Sequence, residues 1–161
     1  MTNNFKLDPK LDLVFERTTT VPIEKLWRAW THPETLMKWF CPLPWKVTEC
    51  RIDLKPGGEF YTLMQGPNGE KMPNSGCYLE IVENKKLVWT GMMTQGFRPA
   101  SPNPMGFHFV ANILFSKTEK GTLYKAIVAH ADEEGRKKHE KMGFQEGWGK
   151  AFEQLVELMK N

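Results

Sequence analysis

The sequence predicts an α+β fold: an antiparallel sheet of about seven strands, covered on one face by a long C-terminal helix, with two short helices after the first strand. Three observations carry this. Between Lys46 and Ala131 the chain alternates short β-prone runs with turn residues; from Asp132 onward it takes on helical character for almost thirty residues; and no repeat or low-complexity linker divides it.

The first strand is read from Leu11 to Val21, "LDLVFERTTTV", which is β-prone and partly alternating. Pro22 then opens a helix whose Ile23, Leu26, Trp27 and Trp30 fall on one apolar stripe. Pro33 starts a second helix, with Leu36, Trp39 and Phe40 at helical spacing. After "CPLPW", whose prolines exclude regular structure, strands are expected at Lys46–Leu54, Glu59–Gln65, Gly76–Glu83, Lys86–Thr94, Phe107–Lys117 and Thr122–Ala131. Short turns join them, so the sheet is an antiparallel meander. The exception is Gly96 to Met105, whose prolines predict a longer loop at a rim. In the final helix, Phe144, Trp148, Phe152 and Leu155 repeat at helical steps although Gly143, Gly147 and Gly149 lie among them. Each interior glycine costs a helix about 1 kcal/mol relative to alanine. Gly143 and Gly147, four apart, lie on nearly the same side, where close approach of a strand or space beside Trp148 would account for them.

At 161 residues, the chain is read as one domain, residues 1–161, preceded by a tail over residues 1–10. The 40% apolar and 25% charged composition is that of a soluble globular protein. Six Trp, ten Phe and nine Met suit an apolar cavity. The net charge of +3 and a basic run, "RKKHEK", diluted by neighbouring acids give no stripe for nucleic acid. Cys41, Cys50 and Cys77 are odd in number and lack metal or disulfide spacing. With no apolar run of membrane length and no signal-peptide core in "MTNNFKLDPK", a cytoplasmic protein with reduced thiols and no membrane insertion is expected.

Catalytic signatures mostly fail. "HEKMG" at His139 starts like a zinc motif but has Gly143 where the second histidine belongs, and nucleotide-binding loops are missing, so no metal or cofactor is expected. His130 shares a strand face with Thr122, Tyr124, Ala126 and Val128, which places it at the inner end of the more apolar face. There it is either a satisfied core histidine or a general base. His108 is expected at the surface. Glu80 shares a face with Gly76, Tyr78 and Val82; if that face is inward, Glu80 is a desolvated carboxylate, and if Cys77, Leu79 and Ile81 point inward, it is solvated.

The succession "PIEKLWRAWTHPETLMKWF", "CPLPWKVTECRIDLKPGGEF", "MQGPNGE", "GCYLEIVENKKLVWT" and "HADEEGRKKHEKMGFQEGWGKAFEQL" resembles the START-like superfamily of polyketide cyclases and Bet v allergens. Within that superfamily it resembles the domain named after the activator of heat-shock protein 90 ATPase, over Leu11 to Leu158. The resemblance implies a helix-grip fold with a cavity between the sheet and the C-terminal helix. It also implies that Phe60, Met64, Tyr78, Glu80, Trp89, Met93, Phe109, Tyr124 and His130 face Phe144, Trp148 and Phe152 across that cavity. The eukaryotic activator adds an N-terminal domain that this chain is not expected to contain.

The leading expectation is therefore a binding protein for a small apolar or aromatic molecule, with the Gly96–Met105 loop and the two short helices at its entrance. Alternatives are an enzyme of cyclase or hydrolase type using Glu80 or His130, and an interaction module such as a homodimer or chaperone partner. The last would show a contiguous apolar outer patch and no ligand-sized cavity.

Overall fold

A computed structural model describes residues 6–160. Its elements are β1 (Asp12–Thr19), α1 (Ile23–Thr31), α2 (Pro33–Leu36), β2 (Lys46–Ile52), β3 (Glu59–Gln65), β4 (Lys71–Val82), β5 (Lys86–Thr90), β6 (Met93–Thr94), β7 (Arg98–Pro99), β8 (Phe109–Lys117), β9 (Thr122–His130), α3 (Glu133–Lys141) and α4 (Phe144–Met159). Seven strands form one antiparallel sheet in the order β1-β9-β8-β5-β4-β3-β2, while β6 and β7 make a small separate ribbon. The fold is α+β and helix-grip-like, as expected. The meander is interrupted once, where β1 pairs with β9, bringing Phe15 opposite Ala126.

The first of these pairings fixes where the helices go. Immediately after β1, Thr122 at the start of β9 donates its hydroxyl to the Val21 carbonyl at 2.7 Å, tying the turn into α1 to the sheet. The α1 stripe then packs inward, with Leu26 and Trp30 buried. Trp30 Nε1 donates to Tyr124 Oη at 3.2 Å, and Trp39 Nε1 donates to the Ala29 carbonyl at 3.0 Å. Burying a tryptophan leaves its N–H in need of an acceptor, and both of these have one. On the far side, Phe152 of α4 stacks on Tyr124 at 4.7 Å and meets Phe15 edge-on at 5.8 Å.

Several boundaries differ from the sequence reading. Strand β4 begins at Lys71, well before the expected Gly76, because "KMPNS" continues the ladder with β3 and only "GPNGE" turns. Strand β5 ends at Thr90, and Met93 and Thr94 leave the sheet to pair with Arg98 and Pro99, so the expected loop starts as a ribbon. Residues 1–5 of the expected tail lie outside the described residues. Its last part is pinned: Arg136 Nε donates to the Lys10 carbonyl at 3.1 Å.

The expected long C-terminal helix is two helices. Gly143 adopts φ +93°, a left-handed conformation that glycine alone takes readily, and breaks the helical run between Lys141 and Phe144. It is therefore not an interior glycine. Gly147 does lie within α4, but a Cβ there would meet only Pro42 Cγ at 4.0 Å, and one on Gly149 would meet Phe15 Cε2 at 3.7 Å. The close approach of a strand expected at Gly147 is therefore not found.

Candidate functional site

The best-developed cluster lies where the inner faces of β3, β4, β5 and β8 meet α1 and the segment after α2. Phe60 on β3 stacks on Tyr78 of β4 at 5.2 Å and meets Trp89 of β5 edge-on at 5.0 Å. Trp89 reaches Phe109 of β8 at 5.7 Å and Trp30 of α1 at 6.5 Å, and Phe40 closes the group against Phe60 at 5.6 Å. Alternation on the strands produces this convergence, since Phe60 pairs with Gly76 and Tyr78 with Trp89 across the ladder. Gly76 is necessary there, because a side chain would press on the Thr90 and Phe60 carbonyls at 3.0 and 3.1 Å.

Two polar atoms inside the cluster are anomalous. Tyr78 Oη and Trp89 Nε1 are buried and have no hydrogen-bond partner among the described residues. A buried unsatisfied donor or hydroxyl costs about 1–3 kcal/mol, and most such groups in folded proteins are paired. Burial also pushes the Tyr78 phenol far above its ordinary range, with the nearby Cys50 adding to the shift, so it stays a neutral hydroxyl.

The other expected site residues divide into three groups. Tyr124 and Phe152 form a separate stack whose polar atom is satisfied by Trp30. Phe144 and Trp148 touch each other at 5.4 Å at the opposite end of α4's inner face. Met64 and Met93 are half-buried and lie outside the hydrophobic core.

Glu80 corrects the expectation. A β-bulge between Tyr78 and Glu80 inserts Leu79 unpaired, so Glu80 pairs with Val88 and the alternation flips. Ile81 joins the core instead, and Glu80 holds Lys86 at 2.8 Å with more than a third of its side chain exposed. It is a solvated ion pair on the other face.

His130 is buried at the inner end of β9, as expected, and both its ring nitrogens are engaged. Nδ1 lies 2.9 Å from the Leu11 carbonyl and Nε2 lies 2.9 Å from His139 Nδ1. A carbonyl only accepts, so Nδ1 carries the proton and Nε2 accepts from His139. With no lone pair left, His130 is a satisfied core histidine. Burial lowers its pKa and lowers that of His139 to about 4. His108, expected at the surface, is half-buried, and its Nδ1 has no partner among the described residues.

The sequence reading missed His139, Phe40 and Trp30 as members of these clusters. Phe40 and Trp30 carried a signal, their helical spacing, but the partners of a helix stripe are not written in it. Burial pushes the Cys41 and Cys50 thiols up to about 11, so both are protonated and unreactive at neutral pH. Among the described residues no group of three or more His, Cys, Asp or Glu is placed to hold a metal ion. Surface depressions lie along α3 and between α4 and Leu43, away from the space between sheet and α4. No described helix is long and apolar enough to cross a membrane.

Residues 20–160 match the family model described as Activator of Hsp90 ATPase homolog 1-like protein. The chain belongs to that family. Among solved structures, this Activator of Hsp90 ATPase homolog 1-like chain is similar to a protein of Nitrosomonas europaea at 48% identity, with TM-score 0.91 over 96% of this chain and 97% of that one. A Rhodobacter sphaeroides protein at 20% identity shares the fold, with TM-score 0.80 over 96% of each chain. An AHSA1-like protein of Aeromonas hydrophila does so at 18% identity and TM-score 0.70, over 93% of this chain and 92% of that one. No curated protein matches the chain.

Proposed function

We propose that the protein binds a small apolar or aromatic molecule within the cluster of Phe40, Phe60, Tyr78, Trp89 and Phe109. The observation that carries this is the pair of buried, unpartnered polar atoms, Tyr78 Oη and Trp89 Nε1, in an otherwise apolar setting. An indole N–H only donates, while a phenol donates or accepts. The complementary ligand is thus a largely apolar molecule with an uncharged acceptor oxygen, such as an aromatic ketone, whose carbonyl takes the indole proton.

The cluster is filled by its own rings, so binding requires them to move. Phe40 and Trp89 are both only half-buried and are the ones that yield. Three free cysteines support a reducing, cytoplasmic setting.

The test is a thermal-shift series with aromatic ketones and their deoxygenated hydrocarbon counterparts. A ligand that binds only the native state raises the melting temperature. The ketones should raise it more than the hydrocarbons, and Tyr78→Phe or Trp89→Phe should erase the difference. No shift across the series rejects the proposal.

A further inference from the structure

Helix α3 is held to the rest of the fold by very few residues. Gly135 is buried, Arg136 and His139 are half-buried, and every other residue of the helix is exposed. Its charged residues pair with each other along the outside, Glu133 with Lys137 at 3.1 Å and Glu134 with Lys138 at 3.3 Å. The contact with the rest of the fold rests on those three residues: Gly135 lies against Phe107, Arg136 holds the Lys10 carbonyl, and His139 supplies the aromatic contact. His139 packs against Phe107 at 4.8 Å, Phe109 at 4.9 Å and Phe144 at 5.2 Å, and donates Nδ1–H to His130.

From this geometry we propose that α3 is an acid-released cover, latched at neutral pH by the His139–His130 hydrogen bond and freed when the pair takes up protons. The proton count dictates it. With Leu11 holding His130 in the Nδ1–H form, the bond needs one of the two facing nitrogens, His130 Nε2 or His139 Nδ1, unprotonated. Burial holds His139 down further than His130, so the first added proton goes to His130, and the bond survives it with His139 Nδ1 as the acceptor. A second proton, on His139, removes that acceptor and opposes two cations about 3 Å apart.

The charged groups facing His130 are Asp12 from β1, Asp132 from the turn before α3 and Arg136 from α3; the two carboxylates favour its protonation and Arg136 opposes it. Arg136 is itself tied to Glu140 at 2.9 Å. The residues that β8 and α4 present to His139 are phenylalanines, and its charged neighbour is His130. Release uncovers Phe107, Phe109 and Phe144. Phe109 leads directly to Trp89, so on the reading given under Proposed function the cover gates the ligand cluster, although the latch is independent of it.

The sign follows from linkage. A histidine whose folded pKa is depressed stabilises the closed state fully above the unfolded value near 6.5 and loses that contribution as pH falls toward the folded value. The opening constant of α3 then rises about tenfold or more between pH 7 and pH 5. Amide hydrogen exchange of the intact protein, corrected for intrinsic rate, reads this directly. Residues 137–141 should lose protection by that factor while β8 and β9 keep theirs, with the imidazole carbon resonances titrating over the same range. His139→Asn, whose amide N–H replaces Nδ1–H and takes no proton, should remove the His139 share of the pH dependence. An unchanged α3, an equal loss in β8 and β9, or imidazoles titrating near 6.5 without loss of α3 protection would each overturn the proposal. So would a full-size pH effect in His139→Asn.

Discussion

Tyr78 and Trp89 are the residues at which this structure departs from the rule that buried polar groups are paired. If the departure is maintained for binding, its removal should favour the empty fold. Tyr78→Phe is expected to leave stability unchanged or raise it by about 1 kcal/mol in urea unfolding, while weakening ketone binding. Glu80 makes the opposite case. Its ion pair with Lys86 is partly exposed, so Glu80→Gln should change stability by less than about 0.5 kcal/mol and leave ligand shifts intact. The resemblance implied inward faces for Tyr78, Trp89 and Glu80; Tyr78 and Trp89 lie inward and Glu80 does not, a choice that periodicity by itself had left open. Period-two alternation is legible until a bulge resets it, and Leu79 carries no residue-level mark of one.

At the scale of elements, the C-terminal region is the instructive one. Helical character runs from α3 into α4, although the apolar spacing begins only at Phe144, and the break comes from a single backbone conformation at Gly143. Gly143→Ala should destabilise by about 1–2 kcal/mol, the cost of a left-handed L-residue. Gly147→Ala should instead stabilise by up to about 1 kcal/mol, because its Cβ meets nothing nearer than Pro42 Cγ at 4.0 Å and helix propensity decides. Comparing the two by thermal unfolding tests whether the two-helix arrangement is right, since one continuous helix would make both substitutions stabilising. The break also makes α3 separable from α4, as a releasable cover requires.

For the whole molecule, α4 is the element that joins the first and last strands of the chain, neighbours at one edge of the sheet, to the helical layer. Phe152 touches both Phe15 of β1 and Tyr124 of β9, strands paired across most of the chain. Phe152→Ala should cost about 3–5 kcal/mol in chemical denaturation, through lost burial and an unfilled cavity. The sequence by itself determined the class of fold, the order of its main strands and helices and the apolar character of the inner faces. Periodicity and turn chemistry are local properties, and they are written residue by residue. Only the tertiary structure decided that β9 lies between β1 and β8, that Trp30 satisfies Tyr124 while Trp89 and Tyr78 are left without partners, and that His139 reaches His130. Those outcomes depend on which side chains meet across long stretches of sequence, where hydrogen-bond supply and demand are set by packing geometry that no local pattern records.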